Sequence, residues 1–195
     1  SDEIKTSEPF YMSDEIKTSE PFYMSDEIKT SEPFYMSTDV KNHEHMKVVK
    51  ERVKKHEGYK NEVYEDTEGH LTVGVGYKLP KNSLLKTGDI VTDEFINEKF
   101  DSTFALAMEG AQRLLKDSQV KPEAFGVVTE MVFQMGETGV SKFKNTLDMI
   151  KNERYKEASF ELFKGKDPCT VSKWAQQTPV RPEALSKVLY NLEDK

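Results

Sequence analysis

From about His45 to Glu57 the apolar residues Met46, Val49 and Val53 recur at helical spacing among Lys, Arg and Glu, which predicts one amphipathic helix stopped by Gly58. The period then changes. In EVYEDTEGHLTVGVGY, residues 62–77, Leu71, Val73 and Val75 alternate with Thr72, Gly74 and Gly76 after a turn-prone TEGH, which predicts a β-hairpin. Strict alternation puts Thr72, Gly74 and Gly76 on one face, where two missing side chains would let a ligand lie close to the backbone beside the Thr72 hydroxyl.

Helical spacing returns at Thr92, an N-cap residue followed by Asp93 and Glu94, which suit the positive end of a helix dipole. Phe95, Phe100, Phe104, Met108, Ala111 and Leu115 carry the period to about Asp117. Between Pro122 and Met135 apolar residues surround most of the helical circumference, which predicts a helix buried within a lobe. Shorter amphipathic stretches follow at Phe143–Ile150, Arg154–Phe163 and Pro182–Leu192. The expected architecture is α+β and two-lobed: a small hairpin lobe at about 45–91, a connecting helix at about 92–117 and an all-helical lobe at about 118–195, with a cleft between the lobes.

Ahead of this domain, assigned to residues 37–195, the string SDEIKTSEPFYM is written three times without a difference, at 1–12, 13–24 and 25–36. Each unit has too few spaced apolar residues for a core, contains Pro, and is too short for a solenoid repeat, so disorder or weak local structure is expected. Each copy ends in Met followed by Ser, like a mature N-terminus with its initiator Met left on the copy before. Concatenation as an artefact, or a very recent duplication, fits that pattern; an attachment segment presenting its Pro-Phe-Tyr tip is the alternative.

The repeats also change the reading of charge. Each copy carries one Lys against one Asp and two Glu, so six of the chain's seven net negative charges lie there and residues 37–195 are nearly neutral. Broad nucleic-acid binding, which needs a basic face, is disfavoured. With 36% hydrophobic and 32% charged residues and no apolar run near the ~20 needed to span a bilayer, a soluble chain without membrane insertion is expected. No basic start and apolar stretch resembles a signal peptide, so synthesis in a cytoplasm is expected. The lone Cys169 excludes an internal disulfide and reads as a surface or half-buried thiol. His43, His45 and His56 form a poor ligand set, so no metal is expected.

Two acids stand out. Cleaving a glycosidic bond takes a protonated carboxyl to donate to the leaving oxygen, and a second carboxylate to activate water or to stabilise developing positive charge. Glu57 falls in the last turn of its helix, where the dipole and partial burial would favour the acid form, whereas Asp66 enters the hairpin among polar neighbours and would stay ionised. By residues alone, two acids nine apart near a hairpin fit solvated surface as well as catalysis.

HEGYKNEVYEDTEGHLTVGVGY, residues 56–77, resembles the catalytic segment of T-even bacteriophage lysozymes, whose pattern of Glu, eight residues, Asp, five residues and Thr is met by Glu57, Asp66 and Thr72. MVFQMGETGV at 131–140 is similar to that family's core helix and following turn, and WAQQTPVRP at 174–182 to its Trp, Gln-Thr-Pro, Arg signature. The likeness covers roughly residues 45–195, with the motifs in family order. It implies a two-lobed lysozyme-like fold and an endolysin that hydrolyses the β-1,4 bond between N-acetylmuramic acid and N-acetylglucosamine with inversion. No cofactor is implied. Glu57 would be the general acid, Asp66 would assist the attacking water and Thr72 would hold it. Phe133 and Thr146 align with saccharide contacts, although Phe133 could equally be core. Gln134, Thr178 and Arg181 could face the cleft or could brace backbone. The partner would be peptidoglycan glycan strands, met in the periplasm by a monomer after release through a separate holin, or by delivery with a virion.

The chain departs from the family in several places. Tyr77 stands where a histidine is usual, and Thr103 where its acidic partner lies, so that ion pair is expected to be absent. The stretch from Tyr77 to Thr92 is short, which predicts loss of a helix from the small lobe. Glu161 replaces a neutral amide at another saccharide contact, and extra residues including Lys166, Asp167, Pro168 and Cys169 precede Trp174. Two rival readings remain at this point: a lytic transglycosylase, which uses one Glu and no water, and a catalytically inactive lysozyme-like module of a virion or binding protein.

Overall fold

A computed structural model of the chain describes residues 40–116, 118–165, 173–178 and 180–195. The N-terminal repeats, the side chain of His43 and the inserted segment around Cys169 lie outside the described residues. The fold is α+β, mostly helical with one small antiparallel sheet of order β1-β2-β3. The described residues form two compact units, one of Lys50–Leu106 and one of Ala107–Lys195 with the part of the first helix before Lys50. No described helix is long and apolar enough to cross a membrane.

Helix α1 (Val40–Glu57), whose part from Lys50 onward belongs to the first unit, ends at the expected residue. Gly58 adopts φ 86°, a conformation that favours glycine, and its N–H returns to the Lys54 carbonyl at 2.8 Å. Strands β1 (Lys60–Glu65), β2 (Leu71–Gly74) and β3 (Tyr77–Lys78) follow. Tyr64 pairs with Thr72, and Thr72 in turn with Lys78, so these three residues line up across the sheet. The loop at 88–91 covers the outer edge of β1 through Gly88 N–H to Val63 O, Val63 N–H to Asp89 O and Val91 N–H to Asn61 O, at 2.8–2.9 Å. No helix occurs among residues 79–92.

The expected glycine face is corrected by the backbone. Val73 pairs with Tyr77, so Gly74–Gly76 reverse the chain, with φ 71° at Gly74 and 65° at Gly76. Alternation holds only for extended residues, and these two are left-handed. The space they vacate is also filled. A Cβ at Gly74 would lie 2.9 Å from the Ile96 side chain, and one at Gly76 would lie 2.7 Å from Glu57 Oε1.

Helix α2 (Asp93–Leu115) starts where Thr92 Oγ1 accepts the Phe95 N–H at 3.1 Å, as its N-cap position predicts. Phe95, Ile96, Phe100 and Phe104 are buried, as are Val53, Val63 and Val73 of the same unit. Two departures from the family pattern acquire a structural meaning here. Tyr77 packs edge-on to Phe95, and the buried Lys99 ammonium lies 5.4 Å and 5.3 Å from their ring centroids. Thr103 Oγ1 donates to the Lys99 and Phe100 carbonyls of its own helix.

In the second unit, helix α3 (Pro122–Ser141) opens with Pro at its first turn and buries every residue from Ala124 to Val132, as the all-round apolar pattern predicts. Its regular geometry breaks at Gly136, φ 81°, one residue beyond the expected end. Helices α4 (Lys144–Lys151), α5 (Tyr155–Glu161), α6 (Lys173–Gln177) and α7 (Val180–Tyr190) complete the unit. Asp194 Oδ1 accepts the Tyr155 and Lys156 N–H groups, so the chain's end caps α5.

Candidate active site

The site begins with where α1 stops. Because Gly58 ends the helix, Glu57 is its last residue, half-buried, with its carboxylate over the turn at Gly76. A side chain at 76 would occupy the place of that carboxylate, so glycine there serves the acid rather than an incoming ligand.

Asp66 follows β1 at the mouth of the turn. Its Oδ1 accepts the backbone N–H groups of Glu68 and His70 at 2.9 and 2.8 Å, and its Oδ2 accepts the Lys78 ammonium. His70 Nδ1 stands 3.6 Å from the same Oδ2. The Lys78 hydrogen bond first, then the backbone N–H of His70, hold this carboxyl well below the usual carboxylate range. Asp66 is ionised, as its sequence surroundings suggest, but chiefly through a cation that the sequence reading did not single out.

Thr72 lies in the middle of β2 and is 3% exposed, with Oγ1 donating to the His70 carbonyl at 3.0 Å. That carbonyl also accepts the Asp66 N–H at 2.9 Å. The fold thus brings Asp66 and Thr72 together on one peptide group. Tyr64, opposite Thr72, joins them to Glu57: burial pushes its phenol up, followed by the Glu57 and Asp66 carboxylates, with Lys78 opposing. Tyr64 is therefore a phenol donor within electrostatic reach of both acids. Tyr64 and Lys78 are the site residues that sequence reasoning missed; their signal is strand register, which depends on the length of the turn at Gly74–Gly76.

The remaining candidate residues lie in the second unit. Gln134 Oε1 accepts Trp174 Nε1–H at 2.8 Å, and Trp174 stands edge-on to Phe143 at 5.7 Å. Thr178 is exposed and donates to the Trp174 carbonyl at 3.0 Å, so Gln134 and Thr178 share one tryptophan. Phe133 is half-buried on α3, whereas Thr146 is only 2% exposed at the start of α4. Arg181 is buried, and its Nε donates to the fully buried Glu130 carboxylate at 2.7 Å. This places Arg181 as a brace of α3 and α7. Glu161 forms an ion pair with Lys164 at 3.2 Å.

Residues 54–167 match the family described as phage lysozyme, a span that includes Glu57, Asp66 and Thr72. The "Probable T4-type lysozyme 2" of Dictyostelium discoideum is 28% identical over 163 residues, covering 72% of this chain and 92% of that protein. A peptidoglycan hydrolase of Pseudomonas phage phiKMV is 36% identical over 132 residues, 67% of this chain but 14% of its own length. The pre-baseplate central spike protein of Enterobacteria phage T4 is 29% identical over 167 residues, 73% of this chain and 28% of that protein.

Proposed function

The chain belongs to the phage lysozyme family, and from that premise we propose that it hydrolyses the β-1,4 bond between N-acetylmuramic acid and N-acetylglucosamine in peptidoglycan, with inversion. The observation that carries this reading is the contrast between its two acids. Glu57 is half-buried over Gly76, while Asp66 is held as an anion by Lys78 and two backbone amides. A charge-held carboxylate beside a second, half-buried carboxyl supplies the two groups that glycosidic cleavage needs.

Glu57 donates its proton to the leaving glycosidic oxygen. Thr72 has committed its own proton to the His70 carbonyl, so its oxygen accepts a hydrogen from the attacking water. A second hydrogen of that water points to Asp66, which leaves a lone pair for the anomeric carbon. An anion held so far below the ordinary range is a weak base. Asp66 accordingly acts by orienting the water and stabilising positive charge on the sugar, and takes its proton late. Phe133, Gln134, Thr146 and Thr178 are the proposed contacts to the glycan strand.

A transglycosylase needs no water, and the shared anchoring of Asp66 and Thr72 favours hydrolysis over it. The spike-protein relative, longer than this chain, supports delivery with a virion as one route to the wall, with release by a holin as the other route proposed. The test is Glu57→Gln, which keeps volume and loses the proton. Lysis of permeabilised Gram-negative cells should fall by about 10²- to 10⁴-fold with the fold intact. Lysis at the native rate would remove Glu57 as the acid.

A further inference from the structure

We propose that Lys78 is a positioning residue for this reaction, its ammonium group clamping the Asp66 carboxylate in the orientation from which it meets the attacking water. The inference rests on the role proposed above for Asp66. Its geometry comes from strand register. Lys78 pairs with Thr72 on β3, so the same ladder that fixes the threonine fixes the root of the lysine side chain.

Counting acceptor sites makes the clamp specific. A carboxylate has about four lone-pair positions. Among the described contacts, Oδ1 of Asp66 accepts two backbone amides, and Oδ2 accepts Lys78. The position left for water is therefore on Oδ2, beside the ammonium, and removing Lys78 frees that oxygen to turn away. The groups facing Asp66 are Lys78 from β3, His70 and Glu68 from the turn and Tyr64 from β1, with Glu57 at the end of α1 acting on Tyr64. Lys78 provides the closest cation.

A folding role accounts poorly for this pair. The Lys78 side chain is 55% exposed and that of Asp66 17%, and exposed ion pairs add little to stability. Lys78 instead keeps Asp66 charged as the pH falls, and so extends into acid the range in which that carboxylate holds its working form.

The test compares Lys78→Met with Lys78→Arg by measuring kcat/KM against pH on soluble glycan fragments, with a carbon NMR titration of the Asp66 carboxyl in each protein. In Lys78→Met the acidic limb and the Asp66 titration should both move up by about one pH unit or more, with the melting temperature at neutral pH lower by only the few degrees that this shift implies. Lys78→Arg should restore the native limb. A native limb in Lys78→Met, or an arginine variant no better than the methionine one, would overturn the clamp. Asp66→Asn separates the two readings. If it is inactive while Lys78→Met is native, the clamp alone fails; if it retains native activity, the Asp66 role and the clamp fail together.

Discussion

The backbone N–H of Asp66 and the hydroxyl of Thr72 donate to one acceptor, the His70 carbonyl oxygen, at 2.9 and 3.0 Å. The His70 N–H returns a bond to Asp66 Oδ1 at 2.8 Å, so a single residue of the turn couples the anion to the hydroxyl. In the proposed reaction this existing order would spare the cost of arranging the pair around substrate.

Thr72→Val should lose about ten-fold or more in kcat, because valine keeps the branched shape and removes the acceptor for water. Thr72→Ser should retain most activity. Steady-state kinetics on the two variants decides the matter, and native turnover in Thr72→Val would take the hydroxyl out of the mechanism.

Gly76→Ala tests the seat of Glu57. With φ 65° and a Cβ position 2.7 Å from Glu57 Oε1, alanine there both strains the backbone and displaces the carboxylate. Activity should fall about 10²-fold. Gly58→Ala is the control: φ is 86° but nothing lies within 4 Å of the added Cβ. It should cost about 1 kcal/mol of stability and spare turnover. Equal activities in the two variants would mean that the space at Gly76 does not serve Glu57.

Asp66 should also leave a signature in acid stability. Its carboxyl titrates in the folded protein below its unfolded value of about 3.9, so its contribution is full above that value and is lost as pH falls toward the folded one. The difference in melting temperature between the native protein and Asp66→Asn should be level from pH 5 to 7 and shrink below about pH 4. Calorimetry across that range checks it, and a pH-independent difference would contradict the ion pair.

How much of this was legible in the sequence depended on the range of the signal. Helical spacing is local, so the end of α1 at Glu57, the Thr92 cap of α2 and the buried run of α3 could be read directly. The Gly74–Gly76 turn could not, because alternation of apolar residues carries no record of φ, and two left-handed glycines turn an apparent strand back on itself. Lys78 and Tyr64 were hidden for the same reason, since their places opposite Thr72 follow from the turn's length. Helix α6, Lys173–Gln177, is too short for periodicity to register. The Glu130–Arg181 pair was masked by its setting, a carboxylate inside an apolar helix whose partner comes from residues far along the chain.

The most direct test of the central claim is the chemistry of the new end. Proton NMR of glycan strands during the first turnovers reports which anomer of N-acetylmuramic acid is released. Protonation by Glu57 with water delivered by Asp66 and Thr72 to the opposite face predicts the α-anomer first, relaxing to the equilibrium mixture. A β-anomer as first product, or an anhydromuramic end with no water incorporated, would contradict it.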